Sequence, residues 1–274
     1  MGLSCSKAGA DTSSWDPNAR ISPTNSTSGT LQYTTEKRVP EPHPKIGISH
    51  AATIRPVDDF ALIQQYNQLY MKVRTWSSEF LSGGSGGAKQ KSQIPAEVRT
   101  QVQRVVLQGD VARVLADKTL HRHVIEGLVG LAVSELLTPS KLPPPSDPAL
   151  LRKAASDLCS TVLQFASSKR SSKQLKSDLL GILQLAASLD AAFRTQAAGF
   201  LVVYARVVNR DTPVNFSGMM EDKTNGRDTA TAGQRSVGMM IFPGLFKTSK
   251  GARSCLVKIR VVCKDEMERY VGRI

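Results

Sequence analysis

A chain of 274 residues has room for one sizeable core with tails, or for two small domains. Its formal net charge of +13 favours anionic partners, phospholipid headgroups or nucleic acid, while the remaining composition is ordinary for a globular protein apart from few aromatic residues. A secretory leader is not expected, since polar residues follow Met1 at once, and the most apolar run, Ala197 to Val208, is shorter than the roughly 20 residues of a membrane span and contains Arg206.

The chain opens Met1-Gly2-Leu3-Ser4-Cys5-Ser6-Lys7. Removal of Met1 exposes the α-amine of Gly2, and Ser6 occupies the hydroxyl position of the N-myristoylation pattern, so Gly2 is the expected acyl acceptor. One myristoyl chain binds membranes with an association constant of only about 10⁴ M⁻¹, and stable anchoring needs a second signal. Cys5 supplies it as a palmitoylation site, and Lys7 adds a favourable charge. This Gly-x-x-Cys opening resembles the amino termini of dually acylated signalling proteins, over seven residues. The resemblance implies a protein on the cytoplasmic face of a membrane. In such a reducing compartment Cys5, Cys159, Cys255 and Cys263 are expected to stay thiols, and the Asn25-Ser26-Thr27 sequon to stay unglycosylated.

From Ala8 to about Arg55 the sequence is rich in Ser, Thr, Pro and Gly and lacks apolar periodicity, so residues 1–57 read as a lipidated, disordered tether. Pattern begins at Asp58. Leu62, Tyr66, Leu69, Val73, Trp76 and Phe80 recur at spacings of four and three, which predicts a helix capped by Asp58 or Asp59. The Gly83 to Gly87 run then reads as a linker; a phosphate loop would need a Gly-Lys-Ser/Thr ending. A second helix is expected from Pro95 to about Leu107, and a third carries Leu120, Val124, Leu128, Leu131 and Leu136 and closes before Pro139. Leu142 to Pro145 makes a stiff spacer. Asp147 as cap and Pro148 at the first position start a fourth helix through Leu151, Ala155, Leu158 and Val162. The longest stripe, Leu175 to Phe200 or Leu201, suits a central bundle helix, either continuous or broken near Asp190. A coiled coil is disfavoured by its poor flanking charges.

Past Arg210 the chain turns polar and glycine-rich. Cys255 to Cys263 then alternates apolar and basic residues like a half-buried strand whose only evident neighbour is the Met239 to Phe242 run. The expected fold is therefore mainly α: a helical bundle over residues 58–210, with residues 211–274 as an irregular or short-strand arm packed on it. Leu69, Val73, Trp76, Leu128, Leu158, Leu179, Ile182 and Phe193 are its expected core. The Val57-Asp58-Asp59-Phe60 opening, the Val73-Arg74-Thr75-Trp76 to Phe80 helix end, Pro243-Gly244-Leu245-Phe246-Lys247 and Leu256 to Val262 resemble a group of uncharacterised helical proteins of filamentous fungi. That resemblance implies one folded unit over residues 58–274 and no particular substrate.

Catalytic signals are missing. No G-x-S-x-G turn or obvious carboxylate pair is present, so an enzyme is not the expected class, and no cofactor or metal is implied. His121 and His123 lie about 200° apart on a helix, cannot share an ion, and read as surface residues. Cys255 and Cys263, at the two ends of one strand, would be about 26 Å apart and read as buried thiols. Lys169, Arg170, Lys173 and Lys176, with the serines around them, form the densest basic cluster, suited to anionic lipid and to an electrostatic switch by phosphorylation. Nucleic-acid binding is not expected, for want of interleaved aromatics. The reading is a lipid-anchored adaptor or scaffold with an unidentified protein partner; the alternative is an enzyme or regulator whose site assembles only in three dimensions.

Overall fold

The computed structural model describes residues 58–82, 94–137, 147–164, 166, 168, 170–196, 198–204, 213–223 and 235–271. The tether, the Gly83 to Gly87 linker and the proline spacer lie outside them. Helix α1 (Asp59–Ser82) buries Leu62, Tyr66, Leu69, Val73, Trp76 and Phe80, the whole expected stripe. Two short helices follow, α2 (Ala96–Gln103) and α3 (Val111–Ala116), the latter capped by Asp110, which accepts from the Ala112 N–H at 2.8 Å. Between them Gly109 sits at φ +111°, a left-handed backbone that glycine adopts without a side-chain clash. Helix α4 (His121–Leu136) is apolar on nearly every side and is buried accordingly. Asp147 caps α5 (Pro148–Val162) and Ser171 caps α6 (Ser172–Arg194). Helix α6 passes through Asp190 unbroken, with Asp190 accepting from Arg194 Nε at 2.6 Å. Every expected core residue is buried except Leu158, which is half-buried.

The expectation of a mainly helical bundle is not met: the fold is mixed α/β. Six strands build two three-stranded sheets among the described residues. One, in the order β1-β4-β5, joins β1 (Gly199–Val203), β4 (Gly244–Ser249) and β5 (Ala252–Val257), all antiparallel. The other, in the order β2-β6-β3, pairs β6 (Ile259–Cys263) parallel to β2 (Met220–Asp222) and antiparallel to β3 (Val237–Phe242). A last helix, α7 (Lys264–Val271), follows β6 directly.

The physical reason for the difference is burial on both sides of the second sheet. Along β6, Ile259, Val261 and Cys263 enter a small apolar cluster with Phe216, Met220 and Phe246, while Val262 enters the main core with the helices. A strand sandwiched in this way loses the alternation that marks a half-solvated one, and β3 is buried at all six positions. The run read as one strand breaks at Lys258, sending Cys255 and Cys263 to different sheets. The long stripe likewise ends as helix at Arg194, and Phe200 and Leu201 belong to β1.

Helix α4 lies directly on β3. A Cβ at Gly127 would stand 2.5 Å from the Met240 carbonyl oxygen, and one at Gly130 would stand 2.6 Å from that of Ile241. Only glycine permits this approach, which carries the helical layer onto the sheet. Tyr66 on α1 fastens the same junction through Pro243, the residue between β3 and β4, and its ring meets Phe242 at 5.6 Å. No helix among the described residues is long and apolar enough to cross a membrane.

Candidate functional site

Of the residues singled out in the sequence, Gly2, Cys5, Lys7 and Lys169 lie outside the described ones. Arg170 does not stand free in its loop. Its Nη1 donates to Glu79 Oε2 at 2.8 Å and lies 3.0 Å from Asp178 Oδ2, so the guanidinium ties the end of α1 to the start of α6. Lys173 is exposed and Lys176 half-buried, and neither makes an ion pair with a described residue. The basic cluster thus divides into one structural arginine and available lysines.

The histidines differ from the surface reading. His121 is buried, with Nε2 2.8 Å from the Leu115 carbonyl oxygen, and burial pulls its pKa below the ordinary 6.5. His123 is half-buried, its Nδ1 3.9 Å from Glu126 Oε2. Among the described residues no three His, Cys, Asp or Glu side chains are grouped to hold a metal. Cys255 is exposed on β5 rather than buried. Cys263 is buried, and desolvation together with neighbouring Asp222 pushes its thiol up to about 12.

The most unusual electrostatic arrangement was not singled out in the sequence. It is a polar seam in which residues of α1 and α4 meet the end of the second sheet. The parallel register of β2 and β6 sets Glu221 beside Arg260. Arg260 is only 8% exposed, and its guanidinium carbon lies 3.8 Å from the Tyr70 ring centroid, a cation–π contact. Nη2 donates to Asn67 Oδ1 at 3.1 Å. Nε stands 3.7 Å from Glu221 Oε2, an ion-pair distance too long for a hydrogen bond, and both Nε and Nη1 are buried without a hydrogen-bond acceptor. Lys223 binds the other oxygen of Glu221 and holds its Nζ 5.7 Å from the same tyrosine ring. Deeper on α4, Glu126 is 2% exposed and accepts from Arg122 Nε at 2.8 Å.

Burial is the first cause of the shifts here, lowering the Arg260 pKa and raising that of Tyr70, to which nearby Glu126 adds. Tyr70 therefore stays protonated at neutral pH. The seam gathers donors and positive charge over an aromatic face, an arrangement suited to holding an anion rather than to covalent chemistry. Two signals in the sequence could have revealed it. Arg260 precedes two consecutive valines, leaving the strand no solvent side, and Glu126 stands within an otherwise apolar turn of α4.

The chain matches no family model, no curated protein and no solved structure.

Proposed function

We propose that this chain is a lipid-anchored peripheral membrane adaptor or scaffold, held on the cytoplasmic face by myristate on Gly2 and palmitate on Cys5. The observation that carries the reading is the Gly2-Leu3-Ser4-Cys5-Ser6-Lys7 opening. The charge distribution supports it. Residues 58–274 hold 30 Lys and Arg against 19 Asp and Glu, so the excess of positive charge lies mainly after residue 57. Basic side chains near an anionic leaflet contribute on the order of 1 kcal/mol each, enough for a few to reinforce a marginal acyl anchor.

Arg170, neutralised by Glu79 and Asp178, contributes little to this surface. Lys173 and Lys176 on α6, and the exposed Arg152 and Lys153 on α5, make no ion pair with a described residue. A shallow groove of about 360 Å³ between α1 and α6, lined by Met71, Trp76 and Ile182, offers an adjacent face for a protein partner.

Fractionation of cells expressing the wild type, Gly2→Ala and Cys5→Ser, with intact-mass spectrometry of each, tests the reading. Wild type should carry both acyl masses and sediment with membranes, Cys5→Ser should be held weakly, and Gly2→Ala should be released. A fully membrane-bound Gly2→Ala protein would overturn it.

A further inference from the structure

We infer that the Arg260–Lys223 seam is a binding site for a phosphomonoester, occupied in this structure by the protein's own Glu221 carboxylate. Three observations carry this independently of acylation. First, Arg260 is more than nine-tenths buried, yet two of its guanidinium nitrogens, Nε and Nη1, reach no hydrogen-bond acceptor. Leaving charged donors unsatisfied in a buried place is costly, and structures keep such groups where something else accepts from them.

Second, the cations converge. Arg260 and Lys223 lie over the same ring of Tyr70, at 3.8 and 5.7 Å, with the guanidinium fixed in orientation by that stacking and by Asn67. A guanidinium N–H fixed in direction beside an ammonium is a donor set that takes a tetrahedral dianion, the first through a directed N–H bond and the second as a point charge.

Third, Glu221 fits this role badly. It bonds Lys223 but stops 3.7 Å short of Arg260 Nε, so one flat carboxylate does not satisfy both cations. Its side chain is 39% exposed and sits on β2, a three-residue strand at the sheet edge. A turn of the Glu221 side chain toward solvent would free the Nε side of the guanidinium. A phosphate then accepts from Nε of Arg260, on the side now facing Glu221, and from Nζ of Lys223, while Glu126, already paired with Arg122, remains in place.

A soluble phosphate ester and a phosphomonoester lipid headgroup share this chemistry, and titration separates them. The full-length chain carrying Gly2→Ala is titrated with inorganic phosphate and with glycerol phosphate while the Arg260 side-chain N–H resonances are followed by NMR. In parallel it is mixed with phosphatidylcholine vesicles containing phosphatidic acid or, as a charge control, phosphatidylserine. Saturable shifts of the Arg260 N–H signals by the free esters assign a soluble ligand; selective binding to phosphatidic acid vesicles without them assigns the headgroup. In either arm Glu221→Gln, which removes the competing negative charge, should tighten binding about tenfold, and Lys223→Ala should weaken it by about the same factor. A circular-dichroism spectrum and thermal melt of each variant matching wild type show that the fold is kept, so that a change in binding reads the site. The inference is overturned if neither wild type nor Glu221→Gln responds to any phosphomonoester, or if the response is indifferent to both substitutions.

Discussion

The hydroxyl of Tyr66 donates to the carbonyl oxygen of Pro243 at 2.9 Å, joining residues 177 positions apart in a fully buried contact. The bond pins α1 to the turn where the chain leaves one sheet and enters the other. Burial also drives the Tyr66 pKa far above its ordinary value, so the phenol remains a donor at all accessible pH. Tyr66→Phe keeps the ring but leaves a buried carbonyl unpaired, and should destabilise by about 1–3 kcal/mol. Chemical denaturation should show a lower midpoint with an unchanged slope.

Two helical glycines give opposite expectations. At Gly130 an added methyl meets the Ile241 carbonyl, so Gly130→Ala should force α4 off β3 and lower the melting temperature. At Gly181 on α6 nothing stands within 4 Å, so Gly181→Ala should gain the ordinary helix propensity of alanine, about 0.5–1 kcal/mol. Thermal melts of the pair decide it; a stabilised Gly130→Ala would refute the close approach.

Trp76 is 3% exposed and packs on Phe80 with ring centroids 5.5 Å apart. Trp76→Ala should cost about 3–5 kcal/mol, measured by denaturant titration.

How much of this was legible can be followed residue by residue. The α1 stripe from Leu62 to Phe80 and the Asp147-Pro148 start of α5 could be read directly, because a helix writes its period and caps into neighbouring positions. Strand pairing carries no such local record. Nothing near Met220 announces that it lies beside Ile259, and Arg260 looked like a solvent-facing residue because the strand's second buried face belongs to helices nearly two hundred positions earlier. Arg170 was read as a free cation for the same reason, since its partner Glu79 is 91 residues away.

Stability should respond to acid through His121. Its pKa is lowered in the folded state, so the unfolded chain takes up the proton first: the stabilisation is complete above about pH 6.5 and is lost as pH falls through the lower folded value. Wild type should lose stability on acidification below that point. His121→Gln, which retains an amide donor for the Leu115 carbonyl, should show a flatter dependence in denaturation series across pH.

Thiol reactivity should separate the cysteines. In a Cys5→Ser background at neutral pH, Cys255 on the edge strand β5 should react with a chromogenic disulfide while Cys159 and Cys263 stay silent until denaturant is added. Fast labelling of Cys263 in the native protein would contradict its burial and its thiol pKa of about 12.

Strand β6 follows β2 and β3 in the chain yet occupies the middle of their sheet rather than the edge. On the ribosome, β2 and β3 therefore emerge with no partner between them, and β3, which lies on the glycine-bearing side of α4, keeps an unpaired edge until β6 leaves the exit tunnel. Chains cut short before Ile259 should consequently present the unpaired apolar strand β3 to chaperones and proteases.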